Sequence, residues 1–395
     1  MTEPLDIARL RAETPGCGRV MHFNQAGAGL PPRQVIEAMS RRMAREAEQG
    51  PMECAASGEE IKARARDLAA NLFGCGSAEI AFVPSGGAAW GLPVAALPEF
   101  HAGDRILVSQ QEWGGNLATL RIKAARTGAV IETMPVQDNG VVDLAALSDR
   151  IDDRVRLICL TWLPCNSGLI DDAEGIGRIA RAAGIPYIID AAQALGQIPV
   201  DIGRIGCDML AATTRKHLRA PRGTALLYLR KEFLPHLSPA WVDTLSAPFV
   251  DGTPQPRDDA RLFENSEMSG VLMAGLAAAL ELTASLGVEN IQARVRRMSA
   301  LLRQRLQDIP GLTLLDRGAD MSGLVAFTLA GLPAPSLRAG LADRGIAIGV
   351  NGPAYTPLDM AARGLDQIAR ACVSYLTTEE EIEALCAGIA AMPRA

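Results

Sequence analysis

Seven short apolar runs, each separated from the next by enough residues for a helix, restrict what this chain can fold into. They are Glu79–Val83, Arg105–Val108, Val130–Met134, Val155–Thr161, Tyr187–Asp190, Cys207–Leu210 and Ala225–Leu229. A strand that shows no polar side must be covered on both faces. Strands of that kind, alternating with helical segments, build a largely parallel sheet with helices on either side. The expected fold class is therefore α/β, and 395 residues leave room for a second, smaller unit.

The remainder of the chain supplies that unit. Residues 1–20 read as a polar, helical lead-in, and Met21–Pro32 is a turn-rich stretch with glycines at 27 and 29. Small residues there let backbone approach a ligand or a neighbouring element, although a plain loop is an equal reading. Amphipathic helices are expected at 33–48 and 57–72. Past Lys231 the composition changes. A polar, proline-bearing connector at 251–259 leads to long helices at 268–285 and 289–308, then short strands at 312–315, 323–329 and 346–350. Helices follow at 335–343 and 378–391, with a buried strand at 371–375. The expected division is a large domain over 21–262 and a small one over 263–395, joined by residues 1–20.

A net charge of -6 argues against nucleic acid or an anionic membrane as partner, so basic clusters are left to serve small anions. The eight cysteines form no CxxC pair, and several sit in apolar runs as small hydrophobes do. No metal site is expected from them. Met1–Asp6 has neither the basic nor the apolar region of a signal peptide, and no apolar stretch reaches membrane-spanning length. A soluble, cytoplasmic protein is expected.

Ligands of open α/β sheets bind beyond the C-terminal ends of the strands, so the polar residues at those ends form one group. After the first run, Ser85-Gly86-Gly87 enters a helix whose free backbone N–H groups suit an anion such as phosphate. Trp113 follows the second run and can stack on a flat ring, or simply pack. Asn166 and Gln193 offer amides, and Asp190 emerges from an apolar strand where a carboxylate needs a cationic partner. Lys216 lies on a turn with Arg215, Arg219 and Arg222 close in sequence, a field that disfavours the protonated amine. Alone, that stretch reads equally well as a basic anion site. Phosphate donors, an aromatic platform, amides, a carboxylate for a ring nitrogen and an amine for an aldehyde are together the needs of pyridoxal 5'-phosphate (PLP).

With these residues in place the chain resembles the class V aminotransferase group of fold-type I PLP enzymes, which includes cysteine desulfurases, selenocysteine lyases, carbon–sulfur lyases and isopenicillin-N-epimerase-like proteins. The resemblance runs from Phe23-Asn24-Gln25-Ala26-Gly27 through Phe263-Glu264-Asn265 to Arg370. It is most specific at Asp190-Ala-Ala-Gln193 and at Arg215-Lys216 running into Pro221-Arg222-Gly223. It implies a homodimer with active sites near the interface. It further implies that Lys216 binds the cofactor aldehyde and moves protons, and that Asp190 keeps the pyridine nitrogen protonated. Asn166 and Gln193 would contact the ring hydroxyl and Trp113 would stack on the ring. Gly86, Gly87, Thr213 and Arg215 would hold the phosphate. Arg370 would grip a substrate carboxylate, with Asn24, Ala26 and Tyr355 also on the substrate side.

The departures from the group shape the functional expectation. Desulfurases carry a nucleophilic cysteine on a small-domain loop, and the corresponding stretch here, Asn351–Leu358, has none. Trp113 stands where they have a histidine, Arg215 precedes the lysine in place of another, and Glu267 replaces a threonine that reaches the partner's phosphate. The expectation is a carbon–sulfur β-lyase acting on a cysteine S-conjugate or related sulfur amino acid, or a decarboxylating variant, and not a persulfide-forming desulfurase. An epimerase or aminotransferase is the alternative, with Tyr355 or His22 as a second acid–base group. A non-catalytic scaffold is disfavoured by the presence of Lys216, Asp190, Gln193 and Arg370 together.

Overall fold

The computed structural model describes residues 5–393, so the leader reading of residues 1–4 lies outside the described residues. After a short strand β1 (Met21–Phe23), whose place is given below, the seven apolar runs become strands of one sheet. They are β2 (Ile80–Val83), β3 (Arg105–Val108), β4 (Val130–Thr133), β5 (Val155–Thr161), β6 (Tyr187–Asp190), β7 (Met209–Thr213) and β8 (Ala225–Leu229). Their order is β2-β8-β7-β6-β5-β3-β4. Only β8 runs against its neighbours; β7, β6, β5, β3 and β4 pair in parallel. Every residue of β2, β3, β6, β7 and β8 is buried, as strands covered on both faces must be, whereas the edge strand β4 is partly exposed.

The polar connector at 251–259 opens with a small exposed hairpin, β9 (Phe249–Val250) against β10 (Thr253–Pro254). The later strands β11 (Leu312–Leu314), β12 (Leu324–Leu329), β13 (Ile346–Asn351) and β14 (Ile368–Cys372) join β1 in a second sheet ordered β1-β13-β14-β12-β11. The strand expected at 371–375 thus begins earlier, and Arg370 lies inside it rather than before it. Phenylalanine and leucine side chains of this sheet pack with the helices Val288–Gln307, Ala334–Ala342 and Glu379–Ala390 in a core of their own.

Two segments pack otherwise than the expected division has it. Strand β1 pairs in parallel with β13, so the N-terminal contribution to the smaller sheet runs past residue 20. The helix Gly270–Leu286 lies on the helices Arg33–Gln49 and Ala55–Phe73, and its Met273, Leu276 and Leu280 enter the large-sheet core. Composition alone had assigned it to the other side. No single helix among the described residues is long and apolar enough to cross a membrane.

The turn that carries Lys216 is tied to both units by Arg219. This arginine is 2% exposed and sits at φ 62°, a left-handed conformation unfavourable for any residue with a Cβ. Its guanidinium donates to Leu30 O at 2.7 Å, to Thr14 Oγ1 at 2.7 Å and to the Tyr375 hydroxyl. Its backbone N–H closes the turn on Lys216 O. The glycine-rich stretch lies against the same turn: a Cβ on Gly29 would meet Lys216 O at 2.6 Å.

Removing the guanidinium strands three buried acceptors. Arg219→Ala should therefore lower stability by about 2–4 kcal/mol in chemical denaturation. Arg219→Gly, which relieves the backbone, should be the more stable of the two variants by about 1 kcal/mol, reversing the usual order of alanine and glycine.

Candidate active site

Because β2, β3, β5, β6 and β7 point the same way, the loops after them converge, and β14 with the loop at 352–356 closes the opposite side. The cavity between them has a volume of about 730 Å³, in the range of small-molecule sites. Asn24, Ala26, Gly86, Gly87, Trp113, Asp190, Gln193, Thr213, Arg215, Lys216, Tyr355 and Arg370 all line it. Asn166 does not. It is 1% exposed, and its amide donates to Thr356 Oγ1 at 2.8 Å and contacts the Asn351 amide at 2.6 Å. The expectation for Asn166 rested on its position after β5, which does not reveal that the next unit would occupy its amide.

One end of the cavity suits an anion. Ser85 caps the helix Gly86–Ala96, its Oγ accepting from Ala88 N at 3.1 Å, while Gly86 and Gly87 form the first turn. A Cβ on Gly86 would lie 3.2 Å from Thr213 Cβ, so glycine lets this helix end approach β7. Arg215 donates to Thr213 Oγ1 at 3.0 Å, and Arg222 lines the same region. Arg222 was legible only as one of a cluster of basic residues.

Trp113 is placed by two glycines. A Cβ on Gly115 would fall 2.2 Å from the Trp113 ring, and one on Gly114 would fall 1.9 Å from Ala354 O. The ring can therefore fold over its own helix start while the turn touches the 352–356 loop, where Gly114 N–H donates to Tyr355 O at 2.8 Å.

Lys216 is half-buried, and its amine titrates at about 8, lowered first by desolvation and then by Arg215 and Arg370, with Asp190 and Cys165 opposing. Burial is thus the larger cause, and Arg370 from the other sheet contributes where Arg219 and Arg222 were expected to. Asp190, 9% exposed, accepts from Ala192 N at 2.9 Å and from Asn116 Nδ2 at 3.0 Å. Among the described residues it makes no ion pair. A buried carboxylate served only by amides leaves room for a cationic ligand atom.

Arg370, 8% exposed, donates from Nη1 to Cys165 O at 2.8 Å, and its Nε has no partner. Gln193 Oε1 and Asn24 Oδ1 are also buried without partners. Three unsatisfied groups on residues of one cavity are what a polar ligand would complete. The anion end, the aromatic ring, Asp190 and the neutral-leaning lysine fit PLP. His22 lines the cavity as well, and burial lowers its pKa, which leaves it neutral at physiological pH. Cys165 lines it too, a thiol that the sequence reading passed over because it does not lie on the 351–358 loop. Reductive alkylation of Lys216 in the cofactor-free protein by a small aldehyde should rise with pH about a midpoint near 8, well below the ordinary lysine range; an ordinary lysine profile would show that burial has no such effect.

Comparison with known proteins identifies the family. The model of the family described as aminotransferase class-V matches residues 21–385. A probable cysteine desulfurase of Xylella fastidiosa (strain 9a5c) is 32% identical over 297 residues, covering 74% of this chain and 70% of that protein. The apo structure of a cysteine desulfurase from Thermococcus onnurineus NA1 shares the fold with a TM-score of 0.91 at 22% identity, over 99% of this chain and 98% of that one. C-DES, solved with glycine covalently linked to its PLP cofactor, has a TM-score of 0.88 at 26% identity, over 97% of this chain and 99% of its own. It has also been solved as a cystine C–S lyase with its reaction product cysteine persulfide.

The expectation of a β-lyase for cysteine S-conjugates that is not a persulfide-forming desulfurase is overturned by the relatives from Xylella fastidiosa and Thermococcus onnurineus, which are named cysteine desulfurases; C-DES is named a cystine C–S lyase, with cysteine persulfide as its product. The expectation took the thiol-free 351–358 loop to mean that no thiol reaches the site, and Cys165 reaches it from the other side. The epimerase or aminotransferase alternative gains nothing from these relatives. With the family model matched over most of its length and a relative of 32% identity over 74% of it, this chain belongs to the class-V aminotransferase family of PLP-dependent enzymes.

Proposed function

We propose that the protein is an enzyme of the cysteine desulfurase type, which takes cysteine and passes its sulfur to a thiol as a persulfide. The observation that carries this reading is the meeting, in one cavity, of Lys216, the partly unpartnered Arg370 and the Cys165 thiol. Arg370 would hold the α-carboxylate by charge-assisted hydrogen bonds, a geometry that a planar guanidinium provides. Lys216, titrating at about 8, can take the Cα proton near neutral pH and return it. Asp190 would hold the ring nitrogen, Gln193 the ring hydroxyl and Trp113 the ring face, while Gly86, Gly87, Thr213 and Arg215 would hold the phosphate. When bound, PLP supplies the electron sink for bonds broken at Cα and Cβ.

Cys165 is the sulfur acceptor in this reading. Burial raises its pKa, and the charges of Arg370 and Lys216 oppose that rise. Its sulfur attacks the sulfur of the substrate, the Cβ–S bond breaks, and the electron pair left on carbon is protonated. Cysteine and one protein thiol thus give alanine and one protein persulfide. The assembly is a cytoplasmic homodimer, supported by eight free cysteines and by the exposure of each of Trp241, Val242, Phe249 and Val250 in the segment before the second unit. Sedimentation should give twice the chain mass.

Incubation of the PLP-loaded protein with cysteine should yield alanine together with a mass increase of one sulfur on the Cys165 peptide after alkylation. Pyruvate and ammonia in place of alanine would overturn the desulfurase reading. Cys165→Ser should lose the persulfide yet still exchange the Cα proton of cysteine with solvent. Arg370→Gln should raise KM for cysteine about tenfold or more, with a smaller change in kcat.

A further inference from the structure

Behind Asp190 lies a second carboxyl group that the chemistry above does not use. Glu112, 0% exposed, sits between β3 and the helix Gly114–Thr127. Its Oε1 accepts from Asn116 Nδ2 and from Thr161 Oγ1, both at 2.8 Å. Its Oε2 accepts from Ser109 Oγ at 3.0 Å and from Thr161 N at 3.1 Å. In the ionised form both oxygens are engaged as acceptors and no cation is among the partners; when the carboxyl is protonated, the Ser109 or Thr161 hydroxyl can accept its proton instead of donating.

Asn116 joins the two acids. The same Nδ2 that donates to Glu112 also donates to Asp190 Oδ2 at 3.0 Å, so both hydrogens of one amide are taken by two carboxyl groups. Asn116 Oδ1 is buried with no partner. The amide therefore accepts an unsatisfied oxygen in order to keep its nitrogen between the acids, and turning it over would set that oxygen against both of them. Ala192 N–H fixes the other oxygen of Asp190. Trp113, the proposed ring platform, is drawn into the same network, since its backbone N–H donates to Thr161 Oγ1 at 3.0 Å.

We propose that Glu112 is a positioning residue for the cofactor: through Asn116 it holds Asp190 in the orientation that meets the pyridine nitrogen, and its negative charge strengthens the hold of Asp190 on the proton there. The proposal rests on the role given above to Asp190. The groups that face the pair are few. Asp190 and the buried Cys159 thiol lie near Glu112, and Lys216 and the Cys165 thiol face Asp190. Burial first, and then the charge of Asp190, push the Glu112 carboxyl up to about 7, against the lowering by Asn116, Thr161 and Ser109. Its charge is fully present above that pH and is lost as the pH falls through it. The support it gives to a cation at the ring nitrogen follows the same course.

PLP labelled with 15N at the ring nitrogen, loaded into the full chain, reads this directly by NMR. In the wild type the nitrogen should remain protonated above neutral pH. Glu112→Gln should lower the pH at which that proton is lost by about one unit or more. It should also lower kcat about tenfold while KM stays within a factor of about three. Glu112→Asp, which keeps the charge, should recover part of both. If Glu112→Gln leaves the nitrogen unchanged while Asp190→Asn deprotonates it, the proposal fails and the reading of Asp190 stands. If Asp190→Asn has no effect either, the reading of Asp190 falls and this proposal with it. Should Glu112→Gln not fold, infrared difference spectra of wild-type protein labelled with 13C-glutamate decide the matter. A protonated glutamic acid band, present near neutral pH without cofactor, should vanish when PLP binds, and an unchanged band would overturn the coupling.

Discussion

The active site depends on the shared direction of five strands. Because β2, β3, β5, β6 and β7 end at the same edge, residues from 85 to 216 meet there without any long excursion of the chain. That direction follows from the apolar character of the strands. Runs buried on both faces need helical crossovers, and crossovers return each strand to the same starting edge. The single reversal, β8, comes directly after the lysine turn, where Lys216 would otherwise be carried away along a further crossover.

The same constraint explains what could be read beforehand. The seven strands are legible as apolar runs, and the residues expected at their ends between Gly86 and Lys216, Asn166 apart, line one cavity; Asn24, Ala26, Tyr355 and Arg370 line it too, but on the expectation of the family resemblance and not of a strand end. Asn166 is the exception for a reason the local sequence does not hold. Its amide is taken by Thr356 and Asn351, almost two hundred residues away along the chain, and only the docking of the second unit brings them together. The helix Gly270–Leu286 was misassigned for a related reason. Its periodicity says that it has a buried side, not which of two cores receives that side.

Charge in the site was also only partly legible. Three arginines near Lys216 in sequence suggested a local field, yet Arg219 turns away to hold Thr14, Leu30 and Tyr375, and Arg370 arrives from a different sheet. Glu112 went unnoticed because a lone glutamate before a tryptophan carries no signal. Its meaning lies in being sealed from water beside another acid, a property of packing rather than of spacing. The thiol at Cys165 lies outside the one loop on which the family places its cysteine, and a cavity has several walls.

Arg219 sets two demands that no other residue type meets together. The backbone at φ 62° favours glycine or asparagine, while three acceptors on separate segments call for a long guanidinium. A gradual replacement through intermediate residues would therefore lose one half of the arrangement before gaining the other. Among descendants of a common ancestor, this position should either stay arginine or change in step with positions 14 and 375, leaving a three-way covariation in which none of the participants touches the reacting atoms.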